Sequence, residues 1–369
     1  MQVEPAAGVQ PYCPRCGRTF PAFIGRCPDD GDALVRWRAP SDPAIGTVLD
    51  DRYRLVRKLG EGAMGIVYEA IQLSVDRRVA VKVIRDELIA DGSTGRRFLR
   101  EARMLTSTRH PSIVDVFDLG TTAAGAPYLV MEMLHGATLA DQLAAGELFE
   151  PRRACDIAIQ LCDALTAAHA SGIVHRDLKP ANIVIVEALD LVKVLDFGLA
   201  KSLAAPDALA TGDTVTQAGT IMGTPLYMAP EAIAGAAADE RTDLYALGSI
   251  LYELVAGRAP FADANVGAVL ARQLHDPPPP LPPYVPPRLA ALVLALLAKR
   301  PASRPPSALE VRAQLFAIRA QLADDLDDAA TLTPADVAPV AARSYTWLLA
   351  LIAGGVFGLL VVLAVILLA

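Results

Sequence analysis

Short alternations of apolar and polar residues dominate the chain between positions 53 and 133. Tyr53-Arg54-Leu55-Val56 reads as a strand entering a glycine-rich turn, and Ile66 to Ile71 as a strand leaving it. Arg78 to Ile84 reads as a third strand, with Ile113 to Leu119 and Tyr128 to Met133 as two more. The period changes once in this stretch. From Gly95 to Ser107 the spacing is helical, with Phe98, Ala102 and Leu105 on one face. The pattern predicts a small five-stranded, mostly antiparallel sheet with one principal helix.

After residue 134 the character becomes helical. Arg152 to Ala170 is a strongly amphipathic helix that ends at Ser171-Gly172. Arg241 to Ala256 is far more apolar, as the central helix of a larger lobe would be, and Leu289 to Ala298 and Ala308 to Leu322 are further helices. The run Pro277 to Pro283 reads as a rigid connection between two helices, with a polyproline ligand as the alternative. These signals predict an α+β fold of two unequal lobes, about 53–134 and 135–317.

Three segments flank that domain. Residues 1–38 are rich in Cys, Pro and Gly. Asp324 to Ala342 is acidic and Ala/Pro rich, so residues 323–346 read as a flexible juxtamembrane linker. Leu348 to Ala369 holds 22 residues and no charge. As a helix it would extend roughly 30 Å, the depth of a bilayer core. Tyr345 and Trp347 stand where interfacial aromatics belong, after Arg343. Residues 347–369 are therefore expected to pass once through the inner (plasma) membrane, in contact with lipid. The N-terminus shows no basic-then-apolar signal pattern, so the preceding domain is expected to stay cytoplasmic.

Composition narrows the partners. A net charge of −7 leaves no basic stripe to displace counterions from nucleic acid, and nucleic acid is excluded as a partner. Five cysteines in a cytoplasmic context argue against disulfides. Cys155 and Cys162 lie on the predicted 152–170 helix and read as small buried hydrophobes. Cys13-Pro14-Arg15-Cys16-Gly17 forms a sharp knuckle, and Cys27-Pro28-Asp29-Asp30-Gly31 looks like its partner. Zinc takes four tetrahedral ligands, and here Cys13, Cys16, Cys27 and Asp30 would supply them. The segment resembles zinc ribbons, with Asp30 in place of the expected fourth cysteine; a metal-free ribbon is the competing reading.

The chemistry concentrates between residues 175 and 198. His175-Arg176-Asp177-Leu178-Lys179-Pro180-Ala181-Asn182 precedes Asp196-Phe197-Gly198. Two carboxylates, a lysine and an amide at this spacing suit transfer of a phosphoryl group from a magnesium nucleotide to a hydroxyl. Asp177 can orient and deprotonate the acceptor. Asn182 and Asp196 offer oxygen ligands to a hard cation, and Lys179 can offset developing charge.

This stretch resembles the catalytic and metal-binding loops of eukaryotic-type serine/threonine protein kinases. The resemblance continues, in order, over about 265 residues. Leu59-Gly60-Glu61-Gly62-Ala63-Met64-Gly65-Ile66-Val67 fits the glycine-rich loop, whose glycines let backbone amides approach phosphates. Val79-Ala80-Val81-Lys82 fits the strand that carries the nucleotide lysine, and Glu101 its helix partner. Ala229-Pro230-Glu231 fits the end of the activation segment. The resemblance implies that Lys82 and Glu101 hold the α- and β-phosphates of ATP, with Mg²⁺ (or Mn²⁺) on Asn182 and Asp196. It implies adenine contacts from the backbone at Glu132 and Leu134. It makes His175 and Phe197 packing residues in an apolar column with Leu105 and Val116. It pairs Glu231 with Arg304 and makes Asp243 a cap beneath the catalytic loop. Lys179 with Thr224 resembles the Ser/Thr-specific branch, so proteins bearing Ser/Thr hydroxyls are the expected substrates. Thr216, Thr214 and Thr211 are candidate autophosphorylation sites, which could order the loop by pairing with Arg176. A homodimer stays open.

Overall fold

The computed structural model describes residues 9–13, 15, 18, 20, 24–29, 31–38, 42–62, 64–85, 102, 108–197 and 225–331. The chain divides into two compact units, Met1–Ile318 and Arg319–Ala369, and the sheets and the candidate site belong to the first.

Near the start of the chain, β1 (Val9–Tyr12) pairs antiparallel with β2 (Val35–Arg38). Between these strands in the sequence, buried Cys13 and Cys27 each donate a backbone bond to the residue five positions on. The Cys13 amide donates to the Arg18 carbonyl at 3.0 Å, and the Cys27 amide to the Asp32 carbonyl at 2.8 Å. Cys16 and Asp30 lie outside the described residues. Among the described residues no group of three or more His, Cys, Asp or Glu side chains could hold a metal.

The main sheet has six strands where the sequence predicts five. They are β3 (Val48–Leu49), β4 (Tyr53–Gly62), β5 (Gly65–Gln72), β6 (Arg77–Ile84), β7 (Val116–Thr121) and β8 (Pro127–Glu132), in the order β3-β4-β5-β6-β8-β7. The extra strand is two residues long, too short for an alternation to show. It is set by a sharp turn at Asp50 and Asp51, both at positive φ. Tyr53, Leu55, Tyr68, Ala70, Val79, Val81, Tyr128 and Val130 form the core on one face. Three of its tyrosines reach carboxylates: Tyr53 donates to Asp118 at 2.8 Å, Tyr68 to Asp42 at 2.7 Å, and Tyr128 to Asp50. Strand alternation sends Val79 and Val81 into this core, so Ala80 and Lys82 face the other way. Of the predicted helix at 95–107 only Ala102 is described, and it is buried.

The larger lobe is built on helices. In chain order they are α1 (Leu139–Ala144), α2 (Pro151–Ala170), α3 (Pro230–Ile233), α4 (Glu240–Ala256), α5 (Val266–His275), α6 (Pro287–Leu296) and α7 (Ala308–Thr331). A small sheet, β11 (Leu191–Val194), β10 (Ile183–Val186) and β9 (Ala137–Thr138), lies beside them. Helix α4 starts at Asp239, whose side chain accepts from the Arg241 amide at 2.8 Å, and stops at Gly257, which takes a left-handed turn at φ 73°. It is buried along most of its length because Gly248 admits α6: a Cβ there would stand 2.7 Å from that of Leu296. Helix α7 runs to Thr331, so the first residues of the predicted linker are helical; alanine, leucine and aspartate continue it without a breaker. No helix among the described residues is long and apolar enough to cross a membrane, and the predicted span 347–369 lies outside them.

Candidate active site

Lys82 enters the site from β6, flanked by Val67 of β5 and Leu129 of β8. It is 6% exposed. A buried ammonium is costly unless paired, and its partner here is Asp196, with Nζ 2.6 Å from Oδ2. Glu101, the partner that the resemblance implies, lies outside the described residues. Burial pushes the Asp196 carboxyl up, but the charge and hydrogen bond of Lys82, with Lys179 beyond, outweigh that and hold it below the usual carboxylate range. Asp196 therefore stays ionised at neutral pH.

His175 joins the two acidic loops. Its Nδ1 accepts from the Asp177 amide at 3.3 Å, so Nε2 carries the proton and donates to the Leu195 carbonyl at 2.9 Å. Asn182 makes a second link. Its backbone carbonyl accepts from the Leu195 amide at 2.8 Å, and its side-chain Nδ2 donates to the Asp177 carbonyl at 2.9 Å. With Nδ2 turned toward Asp177, the amide oxygen remains as the donor for a cation. Lys179 Nζ lies 2.7 Å from Asp177 Oδ2. Arg176 and Asp196 hold positive φ, at 66° and 58°. Both are strained backbone positions beside the chemical groups, maintained by the hydrogen bonds around them. The His175 and Phe197 rings touch in a tilted contact, with centroids 4.6 Å apart and planes at 47°; Leu105 of the predicted column lies outside the described residues.

Beneath the loop sits Asp243 of α4, 1% exposed. Its carboxylate accepts from the His175 amide, the Arg176 amide and His169 Nε2, each at 2.8 Å. Glu231 meets Arg304 in a bidentate pair with both contacts at 2.7 Å. Arg304 also donates to the carbonyls of Ala298, Arg241 and Lys299, which occupies its whole donor set.

The three described glycines of the predicted phosphate loop divide by role. A Cβ on Gly60 or Gly62 would meet nothing within 4 Å, whereas one on Gly65 would sit 2.1 Å from the Val83 carbonyl oxygen. Gly65 lets β5 approach β6, while Gly60 and Gly62 keep the loop open. Glu61 at the loop tip pairs with Lys58 and Arg85. Ala63 lies outside the described residues. Gly65→Ala is expected to cost about 1–3 kcal/mol of stability. Gly62→Ala should leave the melting temperature unchanged and weaken only nucleotide binding. Thermal melts and nucleotide titrations check both, and a wild-type melt for Gly65→Ala would contradict the division.

The kinase resemblance implies only a backbone role for Glu132. Its carboxylate also takes Lys193 of β11 at 2.5 Å and the Asp115 amide at 2.8 Å. Lys193 is buried and also donates to the Ile113 carbonyl at 3.2 Å. A lysine in the apolar run Leu191–Val194 was the available signal, by the same reasoning that singled out Lys82. Leu134 lies just past β8, in the connection to the larger lobe. Thr211, Thr214, Thr216 and Thr224 lie outside the described residues.

Two unequal lobes with this set of residues between them define a protein kinase, and the chain belongs to that family: residues 53–316 match its model, described as protein kinase domain. Among curated relatives, the chain is 44% identical over 287 residues to serine/threonine-protein kinase Pkn1 of Myxococcus xanthus, covering 73% of this chain and 39% of that protein. It is 38% identical over 286 residues to pkn3 of the same organism, covering 75% and 52%. It is 42% identical over 236 residues to PknB of Mycobacterium tuberculosis, covering 63% and 37%. The chain thus spans between about a third and a half of the length of these relatives. A crystal structure of the PknI kinase domain of Mycobacterium tuberculosis, a cysteine-to-alanine variant, superposes with a TM-score of 0.59 at 29% identity, covering 76% of this chain and 99% of that one.

Proposed function

We propose that this chain is a serine/threonine protein kinase that transfers the γ-phosphate of ATP to Ser or Thr hydroxyls of proteins. The observation that carries the reading is the convergence of three segments: β6, the 175–182 loop and residues 195–196. Lys82 touches Asp196, and Asp196 is joined through Leu195 to His175, Asn182 and hence Asp177. In this reading Asp177 orients the acceptor hydroxyl and receives its proton, and Lys179 offsets charge on the transferring group. Lys82 holds phosphate oxygens, the loop 59–67 covers them, and backbone at Glu132 and Leu134 meets adenine. Asn182 and Asp196 fit Mg²⁺: both present oxygen, and the nitrogen of the Asn182 amide is already committed. The cation, when bound, neutralises charge on the phosphates.

The test is incubation of the purified chain with radiolabelled ATP and Mg²⁺. Label is expected on Ser or Thr of an added protein and on the chain itself, at Thr216, Thr214 or Thr211. Chelation of divalent metal should stop it, and restored Mg²⁺ or Mn²⁺ should return it. No transfer under any of these conditions would refute the assignment.

Two proposals concern the flanks. Residues 347–369 anchor the protein in the membrane, with the kinase domain on the cytoplasmic side and signalling tied to that surface. Residues 1–38 carry one zinc on Cys13, Cys16, Cys27 and Asp30; the burial of Cys13 and Cys27 supports this. Metal analysis showing under about half an equivalent would refute the zinc site.

A further inference from the structure

Between α3 and the catalytic loop runs a segment that faces Asp177. Tyr227, Met228 and Ala229 line one cleft together with Arg176, Asp177 and Lys179. The segment begins with the short 3-10 turn Pro225–Tyr227 and ends at Glu231. Its far end is held by the Glu231–Arg304 pair. Its near end is held by a group outside any motif of the sequence, the side chain of Gln273 on α5.

Gln273 is wholly buried. Its Nε2 donates to the Leu226 carbonyl at 2.7 Å and to the Pro225 carbonyl at 3.3 Å, and its Oε1 accepts from the Tyr245 hydroxyl on α4. The side chain thus bonds through both donors and its acceptor. The helix that carries it is fixed as well, since Lys299 Nζ donates to the backbone carbonyls of Arg272 and Gln273 at 3.0 and 2.7 Å. Tyr245 connects the two ends: the Arg304 guanidinium lies over its ring at 4.8 Å. One network of Tyr245 on α4, Gln273 on α5 and Arg304 therefore grips the cleft-facing segment at both ends, by an ion pair at one and by a neutral amide at the other.

We infer that Gln273 is a positioning residue for the acceptor protein: it fixes the backbone at 225–227 so that the 227–229 stretch presents the acceptor hydroxyl to Asp177. This deepens, and rests on, the kinase reading above. An apolar side chain of equal length cannot do this, because two carbonyls and a hydroxyl would lose their partner together. The nucleotide side of the site shares none of these contacts and should be indifferent.

The test uses the full chain with Gln273→Met, which keeps the length and removes the amide. Amide hydrogen exchange across residues 226–231 should accelerate by about tenfold. The KM for dephosphorylated casein should rise by about tenfold, with kcat and the KM for ATP within about twofold of wild type. Gln273→His can return one N–H and should recover part of the casein KM. Unchanged exchange in Gln273→Met overturns the inference, as does faster exchange with an unchanged casein KM. Equal losses toward casein and ATP would mark general loosening and overturn it too. Should Gln273→Met not fold, Tyr245→Phe removes only the hydroxyl that orients the amide; it should shift the casein KM about threefold, and no shift there overturns the inference. A wild-type chain that phosphorylates nothing would refute the kinase reading, and the exchange measurement would still decide whether Gln273 grips the segment.

Discussion

Replacing Asp196 with asparagine should lower phosphoryl transfer on the order of 10³-fold or more, while the protein remains folded. The substitution keeps the shape of the side chain and removes a charge that does two things. It would hold the cation against the phosphates, and it compensates Lys82, whose ammonium is buried 2.6 Å away. Left alone, Lys82 loses its only ionic partner among the described residues. The expected stability cost is about 1–3 kcal/mol, tolerable in a domain of this size. The sign of the pH effect follows. The Asp196 carboxyl lies below its ordinary range in the folded protein, so its contribution to stability is present above about pH 4 and fades as pH falls through the folded value. The asparagine variant should lack that part of the acid sensitivity. Radiolabel transfer, circular dichroism and melts at two pH values measure all three effects. Transfer near the wild-type rate in Asp196→Asn would remove Asp196 from the mechanism.

Asp243→Ala should cause the largest loss of stability, about 3–5 kcal/mol, because three donors lose one buried carboxylate. For a domain of this length that amounts to a fall in melting temperature on the order of 10 °C. Activity should fall beyond what unfolding explains. Asp243 fixes the amides of His175 and Arg176, and Arg176 holds a strained positive φ just before Asp177. Asp243→Asn keeps one acceptor oxygen and should lie between wild type and alanine in both measurements. A melting temperature within about 2 °C of wild type for Asp243→Ala would show that these bonds are replaceable.

Much of this site was legible because its residues are tied to local motifs. Lys82 stands out as a charge in an apolar strand. Asp177, Asn182 and Asp196 stand at fixed intervals on loops, where polar side chains are free to do chemistry. The long helices 151–170 and 240–256 were visible within a residue at their ends, since their periodicity is strong and a glycine closes the second. What escaped notice depends on contacts across the fold. Gln273 looks like any polar residue of an amphipathic helix until the carbonyls of Pro225 and Leu226 are brought to it. Glu132 gains a partner in Lys193 only when β11 lies beside the connection between the lobes. Gly65 carries a further constraint of the same kind: beside the phosphate role that its sequence context suggests, the Val83 carbonyl excludes a methyl group there.

The carboxylates that meet the three core tyrosines bear on how little of this chain can fold alone. Asp42 and Asp50 precede residue 53, where the family match begins, yet they receive the hydroxyls of Tyr68 and Tyr128. Ala44, Ile45 and Leu49 cover the same core. Trimming at the family boundary would bare two phenols and strip the outermost strand. A version of the catalytic half that keeps these contacts therefore starts at Asp42, eleven residues before the family boundary.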